Sequence, residues 1–527
     1  MDYWAKPGLD RRQTLLMYPT LDDSVSGDHP VRLLEEILQA CDWSAWEAEY
    51  HGSRGQPPIP PRVMAGAILY GLMRRIRSSR QLEYACGHNL DFLWLVEGRS
   101  IDHDTFCKFR IRFKEPLKKL FKEVGRVAMN LGLIQLVEVA FDGTRVKANA
   151  SRFHMWTAAK AEAMLLELEK QADQILNEAD AADTADTAAW SESGKTLPPE
   201  LADSTKRRAK LREVLEKLHS ADAARKRDGI DPTKTPAQRA PADPESRLMP
   251  NKEGGYAPNY TPTAAVDGAS GFIVDCDVID VPKENLAFLD SVDRITENFE
   301  RRPSRALADG AFGTIANLEG MEVRQVDFYT PVESPLPEPG NPALREDPSV
   351  PVDEADWSQL PRNANKKLAK SSFIYDETAN FYRCPQGKIL RYDKPKKRRR
   401  EGGEVTLRIY RCHECANCPL ASACLDAKSK RGRTVSRDGS EPLRAKMATK
   451  LNTEEGRKRY RRRLHLAETP FAILKGAMGI RQFLLRGLEK VRTEWRWACT
   501  AYNLKKLAHA VAALRASAAA EAVPAGN

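Results

Sequence analysis

The chain of 527 residues contains no apolar run near the roughly 18 residues that a membrane-crossing helix requires. Its opening segment, MDYWAKPGLD, has no signal-peptide core, so a cytoplasmic protein without a membrane partner is expected. A disulfide framework is also missing. Of ten cysteines, Cys41, Cys86, Cys107, Cys276 and Cys499 stand alone, while the other five gather between Cys384 and Cys424. That distribution suits a reduced chain with one metal knot. No strict helix-turn-helix signature occurs. Charge balance is absent too: the net charge is +10, with basic residues clustered at Arg74–Arg80, Lys394–Arg400, Lys428–Arg433 and Arg457–Arg463. Such clusters favour a polyanionic partner, most simply a nucleic acid, because each neutralised phosphate releases counterions.

Residues 1–130 read as helical. Val31–Ala40 is amphipathic, Pro60-Pro61 leads into a long apolar face ending in arginines, Ser78-Ser79-Arg80 opens another helix, and a further one starts with Asp104 or Thr105 as its cap. Arg74, Arg75, Arg77, Arg80, Lys108 and Arg110 lie at the ends and faces of these helices, which suits a DNA-binding module. A strand then runs to Phe141 and ends in Asp142-Gly143. Residues 154–240 shift to Ala, Glu, Lys and Asp, and read as an inserted hairpin of two helices, Ala158–Ala182 and Ser204–Arg227, around a polar tip. Strands over Thr263–Val266 and Phe272–Val278 form a hairpin, a helix follows over Glu284–Asn298, and a second apolar strand ends in Asp309-Gly310. Val323–Tyr329 reads as one more strand, and 335–375 as loop or linker. The tail from Ala516 reads as frayed.

Three carboxylates stand out. Asp142 and Asp309 both end apolar strands, and Glu468 sits on a basic helix running from Tyr460 to Lys475, with Arg461, Glu468 and Lys475 seven residues apart on nearly one face. Asp267, in A-A-V-D-G, rivals Asp309, and Glu494 rivals Glu468. An all-oxygen set suits Mg(II) or Mn(II), and two such ions can promote in-line attack on a phosphodiester. Arg463 and Lys475 are the natural phosphate contacts beside Glu468. Cysteines spaced C-x27-C-x2-C-x2-C-x5-C can close a tetrahedral Zn(II) site. The set chosen is Cys384, Cys415, Cys418 and Cys424, with Cys412 or His413 as the substitute.

In order along the chain, D-H-P-V-R, S-S-R-x-L-E, D-H-D-T-F-x-x-F-R, F-D-G-T, D-P-E-S-R, A-V-D, A-D-G-A-F, the cysteine cluster, Y-x2-R-x4-E-x6-K, F-L-L-R-G and Y-N-L-K-K resemble the DDE transposases of bacterial insertion sequences. Many relatives show one residue fewer between the arginine and the glutamate of that helix. The resemblance implies a mixed α/β protein with an RNase H-like core that nicks and joins double-stranded DNA at terminal inverted repeats and target sites. Asp142, Asp309 and Glu468 would be its metal ligands. It would act as a dimer or larger assembly, in a bacterial cytoplasm beside the nucleoid. The expected division is a helical DNA-binding domain (1–130), core (131–153), helical hairpin (154–240), core (241–334), linker and zinc-binding insertion (335–440), C-terminal helical core (441–515) and disordered tail (516–527). Two other readings share these residues: an inactive, transposase-derived DNA-binding protein, and a Mg-dependent site-specific nuclease that cuts without rejoining.

Overall fold

The computed structural model describes residues 20–521 except 51–56, 186–198, 228, 252–253, 333–339, 401–402 and 427–430. In chain order the helices are α1 (Pro30–Gln39), α2 (Ser44–Glu47), α3 (Pro61–Met73), α4 (Ser79–His88), α5 (Leu90–Leu95), α6 (His103–Arg112), α7 (Lys114–Asn130), α8 (Ala158–Ala185), α9 (Pro199–Arg227), α10 (Phe288–Phe299), α11 (Ile315–Val323), α12 (Ala421–Cys424), α13 (Glu441–Asn452), α14 (Glu454–Ala472) and α15 (Leu488–Glu521). The strands are β1 (Glu138–Gly143), β2 (Val146–Lys147), β3 (Arg247–Pro250), β4 (Tyr256–Asp267), β5 (Ile273–Ile279), β6 (Arg305–Leu307), β7 (Asp327–Tyr329), β8 (Ile374–Asp376), β9 (Phe381–Arg383), β10 (Ile389–Arg400), β11 (Gly403–Arg411) and β12 (Thr434–Arg437). They fall into two compact units. The first takes the chain to Gln135, Gly143–Pro282 and Glu468 onward; the second takes Leu136–Asp142 and Lys283–Ala467.

In the first unit α15 is the spine. Val491, Trp495, Ala498, Cys499, Tyr502 and Leu504 are buried along it, at the three- and four-residue steps that give a helix one apolar side. Trp497, on another face, joins Trp46, Phe109 and Phe113, whose rings lie within 6.3 Å of one another or of Trp497. On the sheet side Asn503 exchanges two hydrogen bonds with the backbone of Ile273, and the Trp495 indole donates to Thr263 O. The N-terminal helices thus share a core with the C-terminal helix, and the first unit takes the chain to Gln135 before β1 passes into the second. β4 is the central strand here and pairs antiparallel with β2, β3 and β5. The helical hairpin is α8 and α9, packed through Ala161, Val214 and Leu218. Its polar tip lies outside the described residues.

In the second unit β1, β6 and β7 are parallel, with β6 in the middle. Phe288 of α10 covers one face, its ring 4.8 Å from Phe141, 5.4 Å from Phe312 and 5.0 Å from Phe328. Ala467 of α14 covers the other, against Ala140, Leu307 and Tyr329. The segment expected as linker does more than connect: Ala343, Leu360, Leu368 and Phe373 pack into one core with Tyr382, Tyr410 and the cysteines. α6 is capped by Asp102, whose carboxylate accepts from Asp104 N, rather than by Asp104 or Thr105. The strand expected over Val323–Tyr329 begins only at Asp327, because the preceding residues complete α11. Beyond Ala516 the helix continues to Glu521, and the rest of the expected tail lies outside the described residues.

Candidate active site

Parallel pairing sets the geometry of the two aspartates. β1 and β6 match Glu138 to Arg305, Val139 to Ala306 and Ala140 to Leu307, so continuing the register by two residues sets Asp142 opposite Asp309. Alternation puts Asp142 on the face of Ala140, and Phe141 on the opposite one against Phe288. The small side chains of Ala140 and Ala467 let α14 lie close to that face. Arg463, one turn before Ala467, then reaches both acids: its Nη2 is 3.5 Å from Asp142 Oδ1 and 3.8 Å from Asp309 Oδ2. These are ion-pair separations longer than hydrogen bonds. The Arg463 Nε is buried without a hydrogen-bond partner among the described residues. Charge from the two acids and a hydrogen bond with Tyr460 hold the guanidinium there.

Asp142 is buried, whereas the Asp309 side chain keeps 36% of its exposure. Asp309 is fixed at its backbone and at its carboxylate: Thr330 donates to its carbonyl at 2.6 Å, and its Oδ1 accepts from Ala311 N at 2.9 Å. Tyr460, one turn before Arg463, is a neighbour of the same cluster; burial pushes its phenol up, while Arg463 beside it draws it down. Sequence reading took Arg463 as a phosphate contact beside Glu468 and did not read its place between the two aspartates, with Tyr460 one turn away. The step from 460 to 463 to 467 on the sheet-facing side of α14 would have found them.

Glu468 lies on α14 with its side chain exposed, at the point where the chain passes into the first unit. Pro470 interrupts the ladder two residues later, and Ile473–Ala477 form a π turn. Lys475 projects from that turn, and its ammonium donates to Thr144 Oγ1 at 2.5 Å and to Arg145 O at 2.9 Å. The lysine is therefore tied to the residues that follow Asp142-Gly143 in the chain.

The rival acids have other work. Asp267 is fully buried and accepts from Gln135 N and Ala269 N, closing the β4–β5 turn. Glu494 accepts from the amides of Leu484 and Leu485 and pairs with Arg77 at 2.9 Å. Among the six N-terminal cations, Arg74, Arg75, Arg80 and Lys108 are exposed. Arg77 is not free in the same way, since it also donates to Gly479 O and Gln482 O. Arg110 donates to Arg77 O, and burial draws its guanidinium down. A phosphate contact from either would require it to leave these partners.

Cys384, Cys412, Cys415, Cys418 and Cys424 all line one cavity of about 20 Å³, room for roughly one small atom or ion; His413 does not line it. Amide donors point at three of the sulfurs. Arg433 N lies 3.5 Å from Cys415 Sγ, the amides of Gln386 and Lys388 face Cys384, and that of Glu414 faces Cys412. Gly432, at φ +86°, permits this approach: a Cβ there would lie 2.0 Å from Cys412 O. Cys412 thus stands level with the four cysteines first chosen. The three-ligand cluster within 4.8 Å that the described residues do contain, Asp102, His103 and Asp104, lies elsewhere, on exposed α6.

Two family models match the chain. The Transposase DDE domain covers residues 383–508, and the Transposase domain (DUF772) covers 19–112. Both matches support a DDE-type transposase of an insertion sequence. No curated protein matches it. The first match takes in the cysteine module, α14 with Glu468, Lys475 and most of α15, but starts after Asp142 and Asp309. The second takes in α1 to α6 of the transposase. Among the described residues no helix is long and apolar enough to cross a membrane.

Proposed function

We propose that the transposase binds the ends of its element and catalyses metal-dependent phosphodiester cleavage followed by strand transfer, from an RNase H-like core with Asp142, Asp309 and Glu468 as the catalytic carboxylates. The observation that carries this reading is that Asp142 and Asp309 each lie two residues beyond the paired Ala140 and Leu307 of adjacent parallel strands, with the Arg463 guanidinium 3.5 and 3.8 Å from them. The ends of parallel strands are where sheets of this kind present functional groups. The donor set fits Mg(II) or Mn(II): carboxylate oxygens with a displaceable positive neighbour. When bound, such ions activate water or a 3′-hydroxyl and stabilise the leaving oxygen. The chain's own part is to hold two acids in register, to deliver Glu468 and Lys475 on the α14 region, and to offset phosphate charge with Arg463 and the exposed Arg74, Arg75, Arg80 and Lys108. The cysteine cavity fits Zn(II), held by four of its five thiols, as a structural ion. Two element ends must be paired for transfer, which calls for at least a dimer. The reading also places the protein in the cytoplasm, on nucleoid DNA.

The test incubates the purified protein with fragments carrying the DNA that flanks its own gene, with Mg(II) or EDTA, and maps new 3′ ends. Cuts at bordering inverted repeats that need Mg(II), vanish in Asp142→Ala, and lead to joined products are expected. Tight binding without cleavage under Mg(II) or Mn(II) would overturn it.

A further inference from the structure

The face of the second unit's sheet that α14 covers is ordered in three rows across β1, β6 and β7. The register puts Glu138, Arg305 and Asp327 in the first row and Ala140, Leu307 and Tyr329 in the second, and Asp142 and Asp309 continue it in a third. The middle row is apolar and packs on Ala467. The first row is charged although it is largely covered. Glu138 is 4% exposed, and neither of its carboxylate oxygens has a hydrogen-bond partner among the described residues. Its charge is met from α14: Arg462 Nη1 lies 3.2 Å from Glu138 Oε1, with the arginine side chain still 55% exposed. The rest of the row has contacts of its own. Arg305 reaches Asp327 at 4.0 Å, and Lys450 of α13 pairs with Asp327 and donates to Phe328 O at 2.7 Å.

A buried carboxylate loses its hydration and recovers only part of that loss through one ion pair, so an apolar side chain of similar size would serve packing at least as well. What Glu138 adds is direction. Glu138 and Asp142 stand on the same face of β1, about 13 Å apart at roughly 3.3 Å per residue. That separation is close to the diameter of a helix with its side chains. Arg462 and Arg463 are consecutive on α14, their Cα atoms about 3.8 Å apart, yet the first meets Glu138 while the second meets Asp142 and Asp309. The two guanidiniums therefore diverge along the strand, one toward its start and the other toward its end. A helix held by a single arginine can turn about its own axis. Held by two that pull in opposite senses, it cannot turn without parting one of the pairs.

We propose that Glu138 is a positioning residue of this transposase: through Arg462 it fixes the roll of α14, and with it the place of Arg463 beside Asp142 and Asp309. This rests on the reading of the two aspartates as ligands of a divalent ion and adds what governs access to them. With the roll fixed, Arg463 stays on both acids and has to be displaced before they can take an ion. With the roll freed, Arg463 leaves them more readily, and the acids become the stronger ligands.

The experiment titrates the full chain with Mn(II) in the absence of DNA and follows free Mn(II) by electron paramagnetic resonance, with Asp142→Ala/Asp309→Ala identifying the binding that belongs to the aspartates. Glu138→Gln keeps the side-chain volume and leaves behind only a half-exposed arginine that water can solvate. We expect it to bind Mn(II) about fivefold more tightly than the parent, the low end of the coupling usual between two linked sites. Arg463→Gln should also bind more tightly, and adding Glu138→Gln to it should change nothing further, because the effect runs through Arg463. Arg462→Gln, altered at the exposed end of the pair, should behave as Glu138→Gln does, and Arg462→Lys, which keeps the charge, should return toward the parent; these two decide the matter if Glu138→Gln does not fold. Weaker Mn(II) binding in Glu138→Gln is what a merely structural role would give and would overturn the proposal. So would an equal gain with and without Arg463. If the parent shows no Mn(II) binding that the double aspartate variant removes, the proposal falls together with the metal reading. If the parent binds and Glu138→Gln binds identically, only the role of Glu138 falls.

Discussion

The aspartate pair and the cysteine module lie in the same compact unit, and both gather groups that attract cations, yet the chain treats them differently. At the strand ends the negative charge is offset from within, by Arg463 at 3.5 and 3.8 Å. In the module burial raises the Cys384 thiol and pushes those of Cys412 and Cys424 up to about 12. Asp142 also stands on β1 and Asp309 just beyond β6, on a parallel pair held by its own register and by Phe288 packing. The cysteines stand on turns around a cavity, held by short elements and a few amide donors. The lesson is that the acids sit beside a sheet held by its own pairing, whereas the thiols sit on turns, where the proposed zinc would add most to compactness.

Removing a carboxylate is the harshest test of this contrast. Asp142→Ala or Asp309→Ala should lower Mg-dependent cleavage by roughly a thousandfold, about 4 kcal/mol in the barrier, while melting temperature stays close to that of the parent. A large drop in melting temperature would erase the distinction. In the module the effect should be reversed: a zinc chelator, or Cys415→Ser, should lower melting by roughly 5 °C or more, the scale of about 2 kcal/mol in a domain of this size, with differential scanning fluorimetry as the readout. Equal melting with and without chelator would show that the thiols need no metal.

Arg463→Gln sharpens the first half. Without the guanidinium the two acids repel, and we expect a loss of about 1 kcal/mol at low salt that millimolar Mg(II) restores. The parent's melting curve should respond less to Mg(II); an identical response in both would mean that Arg463 does not stand in for a cation. Asp267→Asn is the mildest change. Its single oxygen can keep only one of the amides of Gln135 and Ala269, which the two carboxylate oxygens accept separately, so stability should fall by about 1 kcal/mol while cleavage should persist. Lost cleavage would move the catalytic role from Asp309 to Asp267.

That last pair shows what could be read from the sequence. Asp142, Asp267 and Asp309 each follow an apolar stretch and precede glycine, and local pattern alone makes them equivalent. Strand pairing separates them: β1 and β6 are parallel neighbours, whereas Asp267 closes an antiparallel turn. The helices of the hairpin and α1, α3 and α4 were legible because caps, prolines and apolar spacing are local signals. The destinations of long side chains were not. Arg74 and Arg77 look alike in the sequence, but only Arg77 meets Glu494 and the carbonyls of residues more than 400 positions away. The 335–375 stretch reads as linker because it is polar and proline-rich, and apolar residues such as Leu360 and Phe373 gain meaning only against the tyrosines they pack on.

The π turn at Ile473–Ala477 bears on how the helix came to its present length. A wider turn takes in about one residue more than an α turn for the same rotation. The stretch from Arg463 to Glu468 is one residue longer than the spacing common among similar transposases, and the wide turn comes directly downstream. Together they describe a chain that carries one extra link and takes up the slack locally. The slack is taken up before the helix ends at Ala477, so a change of length in it stays short of α15, which starts afresh at Leu488.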